Sequence, residues 1–220
     1  MGGGDGPPAL LLDLPGLARG RVPVLGPVRL AVAAGETVAL TGPSGIGKTS
    51  LLRAVAGLEP HGARVEVAGR LAVVFQEPTL LPWRTLAQNL RLATGIGAAG
   101  AEEALREVGL DGLGGRFPGQ LSLGQQRRAA LARAFACRPA LLLMDEPFVS
   151  LDEGRAREMW DLFSGLRARH RTATLLVTHD PREAEALASR VLRLAGQPAT
   201  LQEPGAYRHS SASGVTARGS

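Results

Sequence analysis

The chain has 220 residues, of which 45% are hydrophobic, and its formal net charge is +5 at pH 7. This hydrophobic content suffices for a buried core and excludes an intrinsically disordered protein. The single cysteine, Cys137, excludes an intrachain disulfide and fits a reducing compartment. No apolar run approaches the length of a membrane-spanning helix, and the first residues lack the pattern of a signal peptide. We therefore expect a cytoplasmic protein.

The positive charge alone does not predict a nucleic-acid partner. The arginines are scattered, and the densest run, RARHR at residues 167–171, falls late in a predicted amphipathic helix. Such a run is typical of a solvated helix face. We predict that the protein does not bind nucleic acid.

Short apolar runs predict eight strands, and several of them are apolar throughout, as is typical of strands buried on both faces of a sheet. These strands are residues 9–14, 28–33, 37–41, 64–68, 71–75, 141–145, 173–178 and 191–194. Helical patterns cover residues 48–57, 122–137, 153–170 and 181–189. The alternation of strands and helices predicts an α/β domain with a mainly parallel sheet.

The same patterns suggest how the chain is organised. Residues 79–136 lack convincing strands, which predicts a helical insertion between two strands of the sheet. We predict a single domain over residues 1–200. The segment 201–220 is rich in Gly, Ser and polar residues, which predicts a flexible C-terminal tail.

The stretch GPSGIGKT, residues 42–49, matches the pattern G-x-x-x-x-G-K-[ST] between an apolar strand and a helix. Its glycines permit tight turns that direct backbone N–H groups inward, where they and the helix N-terminus bind phosphates. Lys48 is the only lysine in the chain, and its compact charge reaches the β- and γ-phosphates where the planar fork of arginine does not fit. Thr49 can offer its hydroxyl to Mg²⁺. The predicted ATP-binding residues are Gly42, Pro43, Ser44, Gly45, Ile46, Gly47, Lys48, Thr49 and Ser50.

Two further segments carry chemistry. In LLLMDEP, residues 141–147, an apolar strand leads into two carboxylates, Asp145 and Glu146. Asp145 is placed to hold Mg²⁺, directly or through water, and Glu146 can polarise or deprotonate an attacking water. In the stretch 120–136, Ser122 suits a helix N-cap. A helix N-terminus with Ser and Gly offers a second phosphate-binding surface.

Six motifs occur in one order: GPSGIGKT, FQEP, LSLGQQ, LLLMDEP, SLD and VTHD. This set, over about residues 10–195, resembles the ATP-binding cassette (ABC) transporter ATPases. The resemblance implies a RecA-like P-loop NTPase core with a mainly parallel sheet, an N-terminal antiparallel β subdomain and an inserted α-helical subdomain. It also implies ATP hydrolysis, with ATP and Mg²⁺ bound at the site.

The resemblance implies roles by position. Glu146 is similar to the catalytic glutamate, His179 to the switch histidine that contacts the γ-phosphate, and Gln76 to the glutamine that senses it. The implied metal-binding residues are Thr49, Gln76 and Asp145. Contact with ATP held by the opposite subunit is implied for Ser122, Gly124, Gln125 and Asp152.

The chain departs from the family pattern at two places. The segment LSLGQQ, residues 121–126 at the start of the predicted helix, resembles the signature motif of the family. Leu123 stands where the signature usually has its first glycine, and this change can alter the hydrolysis rate or the dimer geometry. The family usually has an aromatic residue near the N-terminus to stack on adenine, but none precedes Phe75. The residues available there are Leu17, Arg19 and Val22. Lost stacking costs about 1 kcal/mol or more of binding free energy, so a Leu17→Tyr variant is predicted to bind ATP more tightly.

The resemblance implies a homodimer that holds two ATP molecules between its subunits, closes with ATP and opens after hydrolysis. Three functions compete: the ATPase of a membrane transporter, a soluble mechanical ATPase acting on DNA or ribosomes, and a small-molecule kinase. The signature helix argues against the kinase. Mechanical relatives usually carry two cassettes or a long coiled coil, and this chain has neither, which favours transport.

Within transport, the segment 74–92 favours an importer. It resembles importer ATPases for nitrate, sulfonates, taurine and thiamine precursors, which often contain LLPW here. Pro82 and Trp83 would then face the transmembrane partner; in the alternative, Trp83 packs within the helical insertion. The implied partners are a second copy of the chain, transmembrane permease subunits and a periplasmic or extracellular solute-binding protein. The implied location is the inner face of the cell membrane, and an exporter or lipoprotein-release ATPase is the alternative.

Overall fold

Two sheets and six α-helices form within residues 7–59 and 62–203, which the computed structural model describes. The strands are β1 (Leu10–Leu14), β2 (Leu17–Arg19), β3 (Val22–Leu25), β4 (Val28–Val32), β5 (Thr37–Thr41), β6 (Arg64–Val67), β7 (Leu71–Val74), β8 (Leu141–Asp145), β9 (Ala173–Val177), β10 (Arg190–Gly196) and β11 (Ala199–Gln202). The helices are α1 (Lys48–Val55), α2 (Leu86–Thr94), α3 (Ala98–Glu107), α4 (Leu123–Ala136), α5 (Glu153–His170) and α6 (Pro181–Leu187). A short 3-10 helix, Pro118–Gln120, precedes α4.

The larger sheet has eight strands in the order β2-β3-β11-β10-β5-β9-β8-β7. The five strands from β10 to β7 run parallel. Strands β8 and β9 are buried at every position, and β5 at all but its last, because both faces of the sheet are covered. This burial explains their uninterrupted apolar sequences. Val177 of β9 pairs with Leu40 on one side and Asp145 on the other, so the carboxyl ends of these strands lie side by side.

The smaller sheet is antiparallel, in the order β4-β1-β6. Positions alternate between buried and exposed along β1 and β4, as expected when one face packs on the core and the other meets solvent. The buried face joins α1 and one face of the larger sheet in a single apolar cluster. The expected antiparallel β subdomain is therefore confirmed.

Helices α2, α3 and α4 lie between β7 and β8 in the chain and pack against one another. Their buried leucines belong to a second apolar cluster on the opposite face of the larger sheet. Within this cluster the rings of Phe135 on α4 and Phe163 on α5 have centroids 6.4 Å apart. The inserted helical subdomain therefore shares a core with the sheet that carries the site.

Three short strands differ from the sequence prediction. β2 and β3 are not among the predicted strands. Their positions do not alternate clearly between buried and exposed, and β3 contains Pro23. β11 includes Leu201 and Gln202, the first residues of the predicted tail, because its backbone pairs with β10 and β3. The remainder of that tail, from residue 204, lies outside the described residues.

The arginine-rich run 167–171 is partly solvated, with Ala168, Arg169 and Arg171 exposed, but it also makes contacts that the sequence did not predict. Arg167 donates a hydrogen bond to the carbonyl oxygen of Gly35 at 3.2 Å. Arg169 and His170 both contact the carboxylate of Glu107, at 2.7 and 3.4 Å. These side chains bind the end of α5 to the inserted helices and to the loop before β5.

Candidate functional site

The phosphate loop, residues 42–49, joins β5 to α1. The ammonium of Lys48 folds back into this loop and donates hydrogen bonds to the carbonyl oxygens of Gly42 at 2.8 Å and Pro43 at 3.0 Å. The Lys48 side chain is buried, so the loop encloses its charge. No side chain within the described residues caps α1, and its first backbone N–H groups are available to an anion.

Two glycines give the loop its shape. Gly42 and Gly47 have φ angles of 143° and 111°, which side-chain-bearing residues rarely adopt. A Cβ atom at Gly42 would lie 2.7 Å from the carbonyl oxygen of Leu194, and one at Gly47 would lie 2.7 Å from Cδ2 of Leu25. The fold itself therefore requires glycine at both positions.

Three strands beside β5 place further predicted residues at the same edge of the sheet. Asp145 ends β8 and Glu146 follows it directly, whereas His179 follows β9 by two residues. Gln76 follows β7 by two residues and is exposed. The sheet thus brings together residues that are far apart in sequence, as parallel strands do at their carboxyl ends.

The hydroxyl of Thr49 donates a hydrogen bond to Oδ1 of Asp145 at 3.0 Å. Burial raises the pKa of the Asp145 carboxyl, and the bond from Thr49 opposes this shift. A hydroxyl and a carboxylate are hard oxygen ligands that fit Mg²⁺, which usually takes one or two protein oxygens together with phosphate and water. No cluster of three or more His, Cys, Asp or Glu that could hold a metal occurs in the described part of the chain. A metal here would therefore need phosphate oxygens as additional ligands.

Glu146 and His179 form a direct pair, with Oε2 of the carboxylate 3.1 Å from Nδ1 of the imidazole. The backbone of Glu146 has a φ angle of 48°, and its N–H donates to the carbonyl oxygen of Val177 at 2.9 Å. This left-handed backbone costs about 1–2 kcal/mol in a non-glycine residue. The surrounding structure imposes it, and strain of this kind is frequent at functional sites.

The predicted N-cap at Ser122 is confirmed. The N–H of Gln125 donates to Oγ of Ser122 at 3.2 Å, and the N–H of Ser122 donates to Oε1 of Gln125 at 3.0 Å. A Cβ atom at Gly124 would meet only Oγ of Ser122, at 4.0 Å. The fold of one chain therefore does not require glycine at this position. Leu123 beside it is 52% exposed.

Asp152 has a local role as the N-cap of α5, since its Oδ1 accepts a hydrogen bond from the N–H of Arg155 at 3.0 Å. Arg127 of α4 contacts the loop before Asp152: its guanidinium donates a hydrogen bond to the carbonyl oxygen of Val149 at 2.8 Å. Sequence reasoning missed Arg127, which is buried. The sequence did contain a signal for it, because Arg127 falls within the apolar stripe of a predicted helix.

The structure corrects the expectation for Leu17. This side chain is 7% exposed and belongs to the core beneath the small sheet, so it cannot stack on a nucleotide base. Val22 is exposed. Arg19 donates a hydrogen bond to Oγ of Ser50 at 3.0 Å, and its guanidinium lies 3.7 Å from the carboxylate of Glu59. Among the three candidates, Arg19 is the side chain that reaches the helix following the phosphate loop.

A glycine-rich phosphate loop that leads into a helix, with an Asp-Glu pair at the end of a nearby strand, defines the class of P-loop ATPases. A family profile described as ABC transporter matches residues 25–149. The aliphatic sulfonates import ATP-binding protein of Paraburkholderia xenovorans is 49% identical over 191 residues, which are 84% of this chain and 77% of that protein. A protein of the same description from Rhizobium johnstonii is 51% identical over 178 residues, which are 78% and 71% of the two chains. The chain belongs to the ABC transporter family.

Solved structures agree with this assignment. A dimeric ATP-binding cassette in a post-hydrolysis state, bound to ADP and phosphate, has a TM-score of 0.75 and 25% identity, covering 89% of this chain and 99% of that one. An inward-facing metal-chelate type ABC transporter has a TM-score of 0.79 and supports the fold at 24% identity, covering 90% and 84%. The protein is thus an ATP-binding and ATP-hydrolysing enzyme of this family. No helix in the described segments is long and apolar enough to cross a membrane.

The position of Leu17 generates a prediction opposite to the one made from the sequence. Leu17→Tyr should lower the free energy of unfolding by about 1–3 kcal/mol, because a larger ring overpacks the core. Val22→Tyr is the matched control, and it should leave stability nearly unchanged because Val22 is exposed. Urea denaturation measures stability, and nucleotide titration measures affinity. A stable Leu17→Tyr protein that binds ATP more tightly would contradict the observed packing.

Proposed function

We propose that the protein drives the import of an aliphatic sulfonate, or a closely similar small anion, across a cell membrane. The observation that carries this proposal is identity of 49% and 51% to two proteins named for aliphatic sulfonate import, over 84% and 78% of the chain. The LLPW segment, typical of importers for such solutes, points to the same class. The structure contributes the ATP site that would power this transport.

The arrangement of the site supports separate roles for its residues during ATP hydrolysis. Lys48 and the N–H groups of the phosphate loop would bind the phosphates, while Thr49, Asp145 and Gln76 would hold Mg²⁺. When bound, Mg²⁺ neutralises charge that develops on the β- and γ-phosphates. Glu146 accepts the proton of the attacking water. His179 orients the Glu146 carboxylate, with which it pairs at 3.1 Å. It would also contact the γ-phosphate.

The signature helix supports a site shared by two copies of the chain. Gly124 lies at the N-terminus of α4 with open space around it, so the fold gives no reason for its lack of a side chain. A phosphate from the opposite subunit would fill that space and would accept hydrogen bonds from N–H groups of this turn. Ser122, Gln125 and Asp152 would complete the contact across a two-fold axis.

An exposed aromatic side chain supports the permease as a partner. Trp83 is 68% exposed, which disfavours the alternative that it packs within the helical insertion. The buried Asn89 fixes the turn that presents it: its amide accepts from the N–H of Leu81 at 2.7 Å and donates to the carbonyl oxygen of Arg84 at 3.1 Å. A large aromatic on a rigid turn is suited to anchoring a protein interface. We place the permease there, at the inner face of the membrane, and assign a solute-binding protein to the same system.

The solute class can be tested in cells that lack the protein. These cells should not grow with an alkanesulfonate as the only sulfur source, and the intact chain should restore growth. Lys48→Ala should fail to do so, because it removes the charge enclosed by the phosphate loop. Growth on sulfate is the control for general fitness. Normal growth of the deletion strain on alkanesulfonates would assign the importer to another solute.

The shared site predicts an unusual outcome for Gly124→Ala. Stability should stay the same or rise by up to about 1 kcal/mol, because alanine favours a helix over glycine. ATP-dependent dimerisation and hydrolysis should nevertheless fall by about tenfold or more, since the methyl group occupies the space for the phosphate. Gly165→Ala on α5, where the space is also open, is the matched control and should keep full activity. Normal hydrolysis by Gly124→Ala would argue against the shared site.

The permease surface is tested by affinity capture with tagged Glu146→Gln protein and ATP, from detergent-solubilised membranes. Without the carboxylate that activates water, this variant should retain ATP and its partners. A multi-span permease should be recovered. Adding Trp83→Ala should abolish recovery, whereas adding Leu58→Ala, another exposed apolar residue, should not. Recovery of ribosomes or DNA-repair proteins without a permease would overturn the transport proposal.

A further inference from the structure

Glu183 of α6 is a buried carboxyl group with no part in the mechanism above. The residue is 5% exposed, and its Oε2 accepts a hydrogen bond from the hydroxyl of Thr178 at 2.8 Å. Its other oxygen, Oε1, is buried and has no partner among the described residues. A buried carboxyl with an unpaired oxygen costs stability, so its presence calls for an explanation.

Thr178 connects this carboxyl to the turn that carries His179. The Thr178 N–H donates to the carbonyl oxygen of Leu40 in β5 at 3.2 Å. Its hydroxyl donates to Glu183 and accepts a hydrogen bond from the N–H of Asp180 at 3.0 Å. Hydrogen bonds thus fix the turn 178–180 on both sides of His179. The Thr178 hydroxyl takes part in two of these three bonds.

A cavity of about 320 Å³ extends from this turn to the catalytic pair. Glu183, Thr178, His179 and Glu146 all line it. The indole N–H of Trp160, another lining residue, is also buried without a partner in the described part of the chain. Glu183 therefore borders the space beside Glu146 and His179, and not a remote part of the core.

We propose that Glu183 is a positioning residue for ATP hydrolysis, which fixes the turn 178–180 through the Thr178 hydroxyl and so holds His179 against Glu146. The proposal rests on the roles proposed above for His179 and Glu146. Glu183 does not touch the reacting groups; it acts through Thr178. Removing its side chain leaves the Thr178 hydroxyl without an acceptor and frees the turn, while the phosphate loop that binds ATP is unchanged.

A dependence on pH follows. Burial, aided by the charges of Asp180 and Glu146 and opposed by the bond from Thr178, raises the pKa of Glu183 to about 7. Ionised Glu183 accepts a stronger hydrogen bond than the neutral acid, so the turn is held more firmly as pH rises through about 7. The charged and titratable groups around Glu183 include His179 and Glu146, the pair Asp180 and Arg182, and the pair Glu153 and Arg157 from α5.

The contribution of Glu183 to the free energy of unfolding changes with pH in the opposite direction. Because the folded pKa lies above the ordinary value of 4.5, this group favours folding fully below about pH 4.5, and that contribution is lost as pH rises through about 7. Glutamine at this position can still accept from Thr178 but never ionises. Glu183→Gln should therefore gain stability relative to the wild type between pH 5 and pH 8.

The test measures kcat and KM for ATP in the full-length chain. Glu183→Ala should lower kcat by about tenfold or more and leave KM within about twofold, because it misplaces His179 but not the ATP. Glu183→Gln should retain most of the activity at pH 6, and the ratio of wild-type to Gln kcat should rise several-fold by pH 8. Glu185→Ala, an exposed glutamate on the same helix, should behave as the wild type.

A second variant keeps the proposal falsifiable if Glu183→Ala folds poorly. Thr178→Val keeps the shape of the side chain but removes the hydroxyl, so it should reproduce the loss of kcat. The double variant Thr178→Val, Glu183→Ala should be no worse than either single one, since both break one connection. Additive losses, or a wild-type kcat in either single variant, would overturn the proposal. If His179→Ala itself keeps full kcat, the role proposed for His179 fails, and the role of Glu183 fails with it.

Discussion

The carboxyl ends of four adjacent parallel strands meet at one edge of the larger sheet, and the chemistry of the site depends on this constraint. β5 supplies the phosphate loop, β9 supplies His179, β8 supplies Asp145 and Glu146, and β7 supplies Gln76. Thr49 and Asp145 are 96 residues apart, yet they are hydrogen-bonded at 3.0 Å. Strand pairing inside the buried sheet fixes this distance, so no local loop sequence has to encode it.

The helical insertion is bound to this edge by two arginines of α4. Arg127 donates to the carbonyl oxygen of Val149, in the loop between Glu146 and Asp152. Arg133 donates to the carbonyl oxygens of Pro78 and Thr79, just after Gln76, at 3.1 and 2.7 Å. A displacement of α4, whose N-cap is Ser122, would therefore displace both loops. These bonds connect α4 to the loops that follow Gln76 and Glu146.

Much of this site could be predicted from the sequence because its signals are local. The glycines of the phosphate loop, the apolar strand before Asp145 and the N-cap at Ser122 each lie within one short stretch. Contacts between elements that are distant in sequence explain the predictions that failed. β11 exists because its backbone pairs with β10 and β3. Leu17 of β2 is buried because it packs in the apolar cluster beneath the small sheet. Glu183 looks like its exposed neighbour Glu185 in sequence, and only packing of α6 distinguishes them.

The glycines of the site divide into two kinds, and the division bears on where the site ends. Gly42 and Gly47 have positive φ angles and no room for a Cβ atom, so the fold of one chain explains them. Gly124 has room and lies in an ordinary helical turn, so the fold does not explain it. Leu123 beside it is an apolar side chain that this chain leaves 52% exposed to solvent. A surface that one chain builds but does not use is what a two-fold assembly would complete, with each phosphate loop facing the signature turn of the other copy.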